Sequence, residues 1–161
     1  MKQIIRGRGE GELRWFYGGG VHEWKVRSEE TNGSLFVLED TLVRGKTTPI
    51  HTHPHDELVY VLEGEVICFS EGNERRVKAG ATIFTPRGTP HAFTVVSETA
   101  RLLAIQTPGQ GEAFYLHASE PAEIRDGVAV GGKVDFRKIQ EAAIATGGTN
   151  VLAPPPKSSL E

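Results

Sequence analysis

The sequence predicts an all-β protein of the sandwich or barrel type, and three observations carry that prediction. Residues 35–106 form a succession of short apolar runs. Turn-forming pairs separate the runs at roughly ten-residue intervals. Within the runs apolar and polar residues alternate, as they do along a strand with one buried face. The runs fall at 35–43, 57–62, 66–69, 76–78, 81–85, 92–96 and 101–106, and the breaks at Arg44-Gly45, Glu63-Gly64, Glu71-Gly72-Asn73, Ala79-Gly80, Arg87-Gly88 and Ser97-Glu98.

Taken in order, residues 1–32 are rich in glycine and charge and read as an extended arm with one or two short strands. Side chains alternate along a strand, so Trp15, Phe16 and Tyr17 cannot share one face. Some of them are expected to cover another surface or a neighbouring subunit. In the run 35–43, alternation places Phe36, Leu38 and Leu42 on the interior face and turns Glu39 and Thr41 away. In the next hairpin Val66 and Cys68 form the interior pair. Residues 112–119 suit either a short helix or a strand. A clearer helix follows: Asp135 caps it, Phe136, Ile139 and Ala143 repeat at helical spacing, and Gly147-Gly148 ends it. Residues 153–159 read as an extended proline-rich tail. The chain is expected to be one domain over 1–161, with the arm at about 1–32, the barrel at about 33–108 and a C-terminal helical segment and tail at about 109–161.

Composition narrows the partners. With 161 residues, 18 Lys+Arg against 21 Asp+Glu and a net charge of −3, the chain has no basic stripe for phosphate backbones or anionic lipid. Neither nucleic acid nor membrane is expected. No apolar run approaches the length that spans a bilayer, and two apolar residues ahead of the first glycine are too few for a signal-peptide core. Cys68 is the single cysteine, so no intramolecular disulfide can form. A reducing, cytoplasmic setting is the simplest expectation.

The chemistry concentrates in residues 45–64, GKTTPIHTHPHDELVYVLEG. In an extended segment residues two apart share a face, so His51 and His53 present two imidazoles side by side. Glu57 joins them if Pro54-His55-Asp56 makes a turn or bulge. His91, from a distant segment, supplies a third nitrogen. Three imidazoles and a carboxylate leave positions open on a six-coordinate ion, the arrangement of a reactive centre rather than a closed structural one. The bland alternative is a chance cluster at a surface turn, with His91 an ordinary core residue. His55 and Asp56 fall in the turn itself, where a supporting or solvent-facing role is expected. His22 and His117 have no partner in sequence and read as structural. Cys68 reads as an inert core thiol, and Arg75-Arg76 as a solvated turn.

These residues carry a family resemblance. Gly45-x5-His51-x-His53-x3-Glu57-x6-Gly64 resembles the first cupin motif, and Gly80-x5-Pro86-x-Gly88-x2-His91 resembles the second, with Val95 where that motif ends in Asn. The resemblance implies a jelly-roll barrel (double-stranded β-helix) enclosing a metal held by His51, His53, Glu57 and His91. Four phrases, Trp15-Phe16-Tyr17-Gly18-Gly19, Glu57-Leu58-Val59-Tyr60-Val61-Leu62-Glu63-Gly64-Glu65, Pro86-Arg87-Gly88-Thr89-Pro90-His91-Ala92-Phe93 and Asn150-Val151-Leu152-Ala153-Pro154-Pro155, are together similar to the single-domain quercetin 2,3-dioxygenase-like cupins. That implies an oxidoreductase that uses dioxygen to cleave a flavonol or similar enol, with Glu57 as metal ligand or proton acceptor.

The metal is one divalent transition ion, and the ligand set accepts iron, manganese, nickel, cobalt, copper or zinc. Alternation suggests a substrate pocket lined by Phe36, Leu38, Cys68, Phe93 and Ile105, with the C-terminal helix near its mouth. The competing expectations are a cupin isomerase or lyase using the metal as Lewis acid, and a small-ligand-binding cupin without turnover. Cupin barrels commonly pair, and a homodimer is expected.

Overall fold

Along β10 (Thr99–Thr107) burial alternates without a break: Ala100, Leu102, Ala104 and Gln106 point into the molecule, and Arg101, Leu103 and Ile105 point out. That one-sided burial is what an antiparallel strand over a core shows. The structure, a computed structural model, describes residues 2–160. The other strands of the central region are β3 (Phe36–Val43), β4 (Ile50–Thr52), β5 (Asp56–Glu63), β6 (Glu65–Ser70), β7 (Asn73–Lys78), β8 (Thr82–Thr85) and β9 (His91–Val95). They coincide with the apolar runs to within one or two residues at most ends, and the turn glycines sit between them. Gly64 shows why a glycine is needed there: its φ is +83°, and a Cβ would lie 2.3 Å from the Thr99 carbonyl oxygen.

Ahead of them lie β1 (Glu12–Phe16) and β2 (Val21–Val26), and after them α1 (Glu112–His117), β11 (Ser119–Pro121), β12 (Glu123–Arg125), β13 (Val128–Val130), α2 (Phe136–Thr146) and β14 (Asn150–Ala153). A seven-stranded sheet runs β11-β1-β2-β3-β10-β5-β8, a five-stranded sheet β14-β4-β9-β6-β7, and β12 pairs β13. The two large sheets form a jelly roll, open at its edges rather than closed into one barrel. Leu42, Val61, Ala100 and Leu102 of the larger sheet meet Val66 and Val95 of the smaller, and join them into one buried cluster. Fully burying a side chain of this kind is worth about 1.5–3 kcal/mol, so this cluster does most to hold the sheets face to face.

Residues 2–32 hold the two short strands expected there, but these are part of a sheet rather than a separate arm. β2 pairs with β3 from Val21↔Thr41 to Val26↔Val37, and β1 pairs with β2, so both belong to the large sheet. Trp24 enters the core beside Phe36, Leu38 and Ala104. Phe16 and Tyr17 pack on the helical segment of the same chain, and Trp15 covers Gly131 and Gly132.

The segment 112–119 resolves into helix followed by strand. Buried Glu112 ties α1 to β2: its Oε1 accepts from Trp24 Nε1 at 2.7 Å and from Arg27 Nε at 2.6 Å. Asp135 caps α2, accepting from the Arg137 and Lys138 amides, and Gly147 ends it at φ 62°. The helix buries Ile139 and Ala142, whereas Phe136 is 61% exposed. Of the expected tail, residues 153–159, only Ala153 belongs to a strand: it ends β14, which lies at the edge of the smaller sheet. Among the described residues, no helix is long and apolar enough to cross a membrane.

Candidate metal centre

His51 on β4 and His91 on β9 are direct cross-strand partners. Opposed residues of an antiparallel pair share a face, and their ring centroids lie 4.3 Å apart. The chain then leaves the small sheet and enters the large one at β5. His53 sits at that corner, where its carbonyl accepts from the Gly88 amide at 2.9 Å. Glu57 lies on β5, so the four residues converge from opposite sheets across three positions of corner.

Each of the three rings is pinned in the same way. His51 Nδ1 is 2.9 Å from the Pro49 carbonyl, His53 Nδ1 2.7 Å from the His55 carbonyl, and His91 Nδ1 2.9 Å from the Thr89 carbonyl. A carbonyl only accepts, so each Nδ1 carries the proton and each Nε2 presents a lone pair. Ligand atoms of the three histidines lie within 4.8 Å of one another. Glu57 Oε2 is 3.8 Å from His53 Nε2, and Oε1 is 3.8 Å from His91 Nε2. Burial lowers the pKa of His51, to about 3, and also that of His53, which keeps these two imidazoles neutral.

His53 Nε2 is buried with no hydrogen-bond partner. Polar atoms left so in a native interior are uncommon. A cation among the three imidazoles and the carboxylate would satisfy it, so the donor set fits a divalent transition ion.

Two further residues complete the setting. Gln106 Nε2 donates to Glu57 Oε2 at 2.5 Å and to the Tyr115 hydroxyl at 2.7 Å. The carboxylate is thereby held from β10 and, through Tyr115, from α1. Sequence reasoning missed both. A signal existed for Gln106, a polar side chain at an inward position of an otherwise apolar strand face, but none for its partner. His55 is not solvent-facing: it is 2% exposed and stacks on His53 with centroids 4.2 Å apart and planes at 4°. Asp56 is a surface residue whose carboxylate accepts from the Arg87 amide and guanidinium. That contact ties the corner between the ligands to the turn before His91. Arg87 holds the Asp56 carboxyl down, at about 2.

The site opens on a cavity of about 860 Å³ between the sheets. Cys68 and Phe93 line it; Phe36, Leu38 and Ile105 do not. Phe36 and Leu38 do face inward, but Trp24 fills the space in front of them. Ile105 lies on the outer face, one residue out of phase with Ala104 and Gln106. Burial pushes the Cys68 thiol up to about 11, consistent with an unreactive wall residue. His22, expected to be structural, lines the cavity as well.

Comparison with known proteins agrees with this architecture. Residues 38–106 match the cupin domain family. Over 116 residues the chain is 27% identical to a quercetin 2,3-dioxygenase of Bacillus subtilis (strain 168), covering 71% of this chain and 34% of that protein. The chain thus spans about a third of that relative's length. An uncharacterized protein of Aquifex aeolicus (strain VF5) is 32% identical over 92 residues, covering 56% of this chain and 74% of that one. Among solved structures, a predicted oxalate decarboxylase of Thermotoga maritima superimposes with a TM-score of 0.60 at 21% identity, covering 65% of this chain and 99% of that one. The polyketide cyclase RemF of Streptomyces resistomycificus gives 0.54 at 24% identity, covering 79% and 89%. At such identities the two structures speak for the fold alone. With the domain match, the paired sheets and the converging histidines in agreement, the chain belongs to the cupin family.

Proposed function

We propose that the protein is a metal-dependent dioxygenase acting on a flavonol-like or other small aromatic, enolic substrate, with the metal held by His51, His53, Glu57 and His91. The observation that carries this reading is the set of three imidazoles with proton-free Nε2 atoms beside Glu57, opening on a largely apolar cavity. The similarity to the Bacillus subtilis enzyme supports the choice of reaction. When bound, the ion supplies positive charge and open coordination positions, which acidify an enol or phenol and admit dioxygen.

The chain's own residues do the rest. The apolar walls exclude water and orient an aromatic body. Glu57 stands among the ring nitrogens as an acceptor-only carboxylate. Gln106 occupies its Oε2, so Oε1 is the atom free either to ligate the ion or, once off it, to take the proton of the substrate hydroxyl. The pairing common among cupin barrels supports a homodimer, and a single cysteine suits a reducing, cytoplasmic setting. Elemental analysis of the purified protein, combined with oxygen uptake against a panel of flavonols, tests the reading. Stoichiometric metal with flavonol-dependent uptake supports it. No uptake with iron, manganese, nickel or cobalt loaded removes it, and leaves a Lewis-acid isomerase or lyase, or a binding protein.

A further inference from the structure

The cavity has a second polar end that the metal centre does not use. On β3, Asp40 occupies an inward position between Leu38 and Leu42, and its cross-strand partner on β2 is His22. Lys46, just beyond β3, reaches the same wall: its Nζ donates to the Gly18 carbonyl and stands 5.3 Å from the Phe16 ring centroid. All three residues line the cavity. His22 Nδ1 lies 3.2 Å from Asp40 Oδ1, yet both atoms are buried without a hydrogen bond. Interiors seldom leave such atoms unpaired unless something else pairs them.

Burial pushes the Asp40 carboxyl up to about 7, and pulls Lys46 down to about 8 and His22 down to about 3. These groups have been drawn out of water without a full set of partners. Register gives the separation of the two ends. Phe36 pairs with Gln106, which pairs with Glu57, so Asp40 stands four residues along β3 from the row that holds Glu57. At about 3.4 Å per residue this is about 14 Å between backbones along the strands, and the side chains remain within electrostatic reach of one another, since Glu57 raises the Asp40 carboxyl and Lys46 lowers His51. The cavity walls are otherwise largely apolar, with Leu42, Val59, Leu102, Ala104 and Phe114, and Tyr115 reaches from His22, at 5.7 Å between ring centroids, to Gln106.

We propose that Asp40, Lys46 and His22 form a hydroxyl-recognition station, which binds a phenolic or similar neutral hydroxyl at the end of the substrate remote from the metal centre. The inference rests on the reading of the metal centre as a site for small aromatic, enolic compounds. A hydroxyl both donates and accepts. It can donate to Asp40 Oδ1 or His22 Nδ1, and accept from one of the two Lys46 N–H groups that Gly18 leaves over. A carboxylate only accepts and would face Asp40 in a cavity that also holds Glu57. An ammonium would face Lys46. The station therefore selects for a neutral hydroxyl.

The test uses the full chain loaded with redox-inert zinc and titrated with two probes: the unsubstituted flavonol, and analogues carrying one additional hydroxyl on the ring farthest from its enol. One analogue is expected to bind about tenfold more tightly than the unsubstituted flavonol, the worth of a hydrogen bond to a charged group. In Asp40→Asn and in Lys46→Met that ratio should fall to within about threefold. A purely structural role for these residues would weaken both probes together and keep the ratio. Equal affinity of the two probes for the wild type overturns the station, as does a ratio retained in both variants. The wild-type ratio needs no variant, so a variant that fails to fold does not rescue the proposal. If neither probe binds, the station and the proposed substrate class fall together. Oxygen uptake with the redox-active metals is read separately, so its absence removes the dioxygenase reading without touching the ratio.

Discussion

Replacing Gln106 by Leu removes the donor to Glu57 while keeping most of the buried volume. Its consequences divide in a way that the structure makes quantitative. The variant loses a hydrogen bond to a charged group, about 1.5–3 kcal/mol, and one to the neutral Tyr115 hydroxyl, about 0.5–1.5 kcal/mol. It also removes Gln106 Oε1, which faces His55 without completing a hydrogen bond. Relief of that buried, unpaired atom returns about 1–3 kcal/mol. Global stability should therefore change by only about 1 kcal/mol. Metal affinity has no such compensation, because Glu57 loses the group that orients it. Partners of this kind are typically worth 10–100-fold in metal affinity. Competition against a chromophoric chelator reads that affinity, and a thermal melt of the metal-free protein reads the stability. Tyr115→Phe keeps the Gln106–Glu57 bond and should stay within about threefold of the wild type. Unchanged affinity in the Leu variant would refute the reasoning, as would a loss that only tracks the melting temperature.

Further outcomes follow from the same geometry. His51→Ala should reduce metal content to near zero by elemental analysis, and full retention would remove His51 from the site. Gly111→Ala places a Cβ 2.6 Å from the His55 ring, an overpacking that costs about 1–3 kcal/mol. Denaturant titration at an unaltered midpoint would show that His55 is free to move. Asp40 titrates at about 7 in the fold against an ordinary 3.8, because of burial first and of Glu57 second. Its contribution is thus present at low pH and lost as pH rises to 7. Asp40→Asn should gain on the wild type from pH 4 to 7 and level off above. At about 1.4 kcal/mol per pH unit the ceiling is about 4 kcal/mol, and a difference that falls with pH would reverse the assignment. For the homodimer, light scattering at the mass of one 17.5 kDa chain would remove the expectation.

Two of the candidate ligands, His51 and His53, were legible in sequence because their geometry is local, whereas His91 comes from a distant segment and joined them through the motif resemblance. His51 and His53 share a face through strand periodicity, and the glycines and prolines around them mark the turns that bring Glu57 round. Alternation likewise placed Phe36, Leu38 and Leu42 inward. It failed at Ile105 for a definite reason: Ala100, Leu102 and Ala104 are apolar, but so are Leu103 and Ile105, so both faces of β10 look like core. A one-residue phase error then exchanges them.

The remaining features depend on pairings made across long stretches of chain. Nothing in residues 1–32 says that β2 lies beside β3, and with that pairing absent Phe36 and Leu38 read as cavity wall rather than as residues covered by Trp24. Asp40 and Gln106 are visible as polar breaks in apolar alternation, yet their partners, His22 and Glu57, come from strands that only the sheet order makes neighbours. Local periodicity and turn chemistry thus determined the strands, and motif spacing the family resemblance and the candidate metal ligands. The sheet order, through contacts between distant segments, decided which inward faces pack solid and which enclose a cavity with two polar ends.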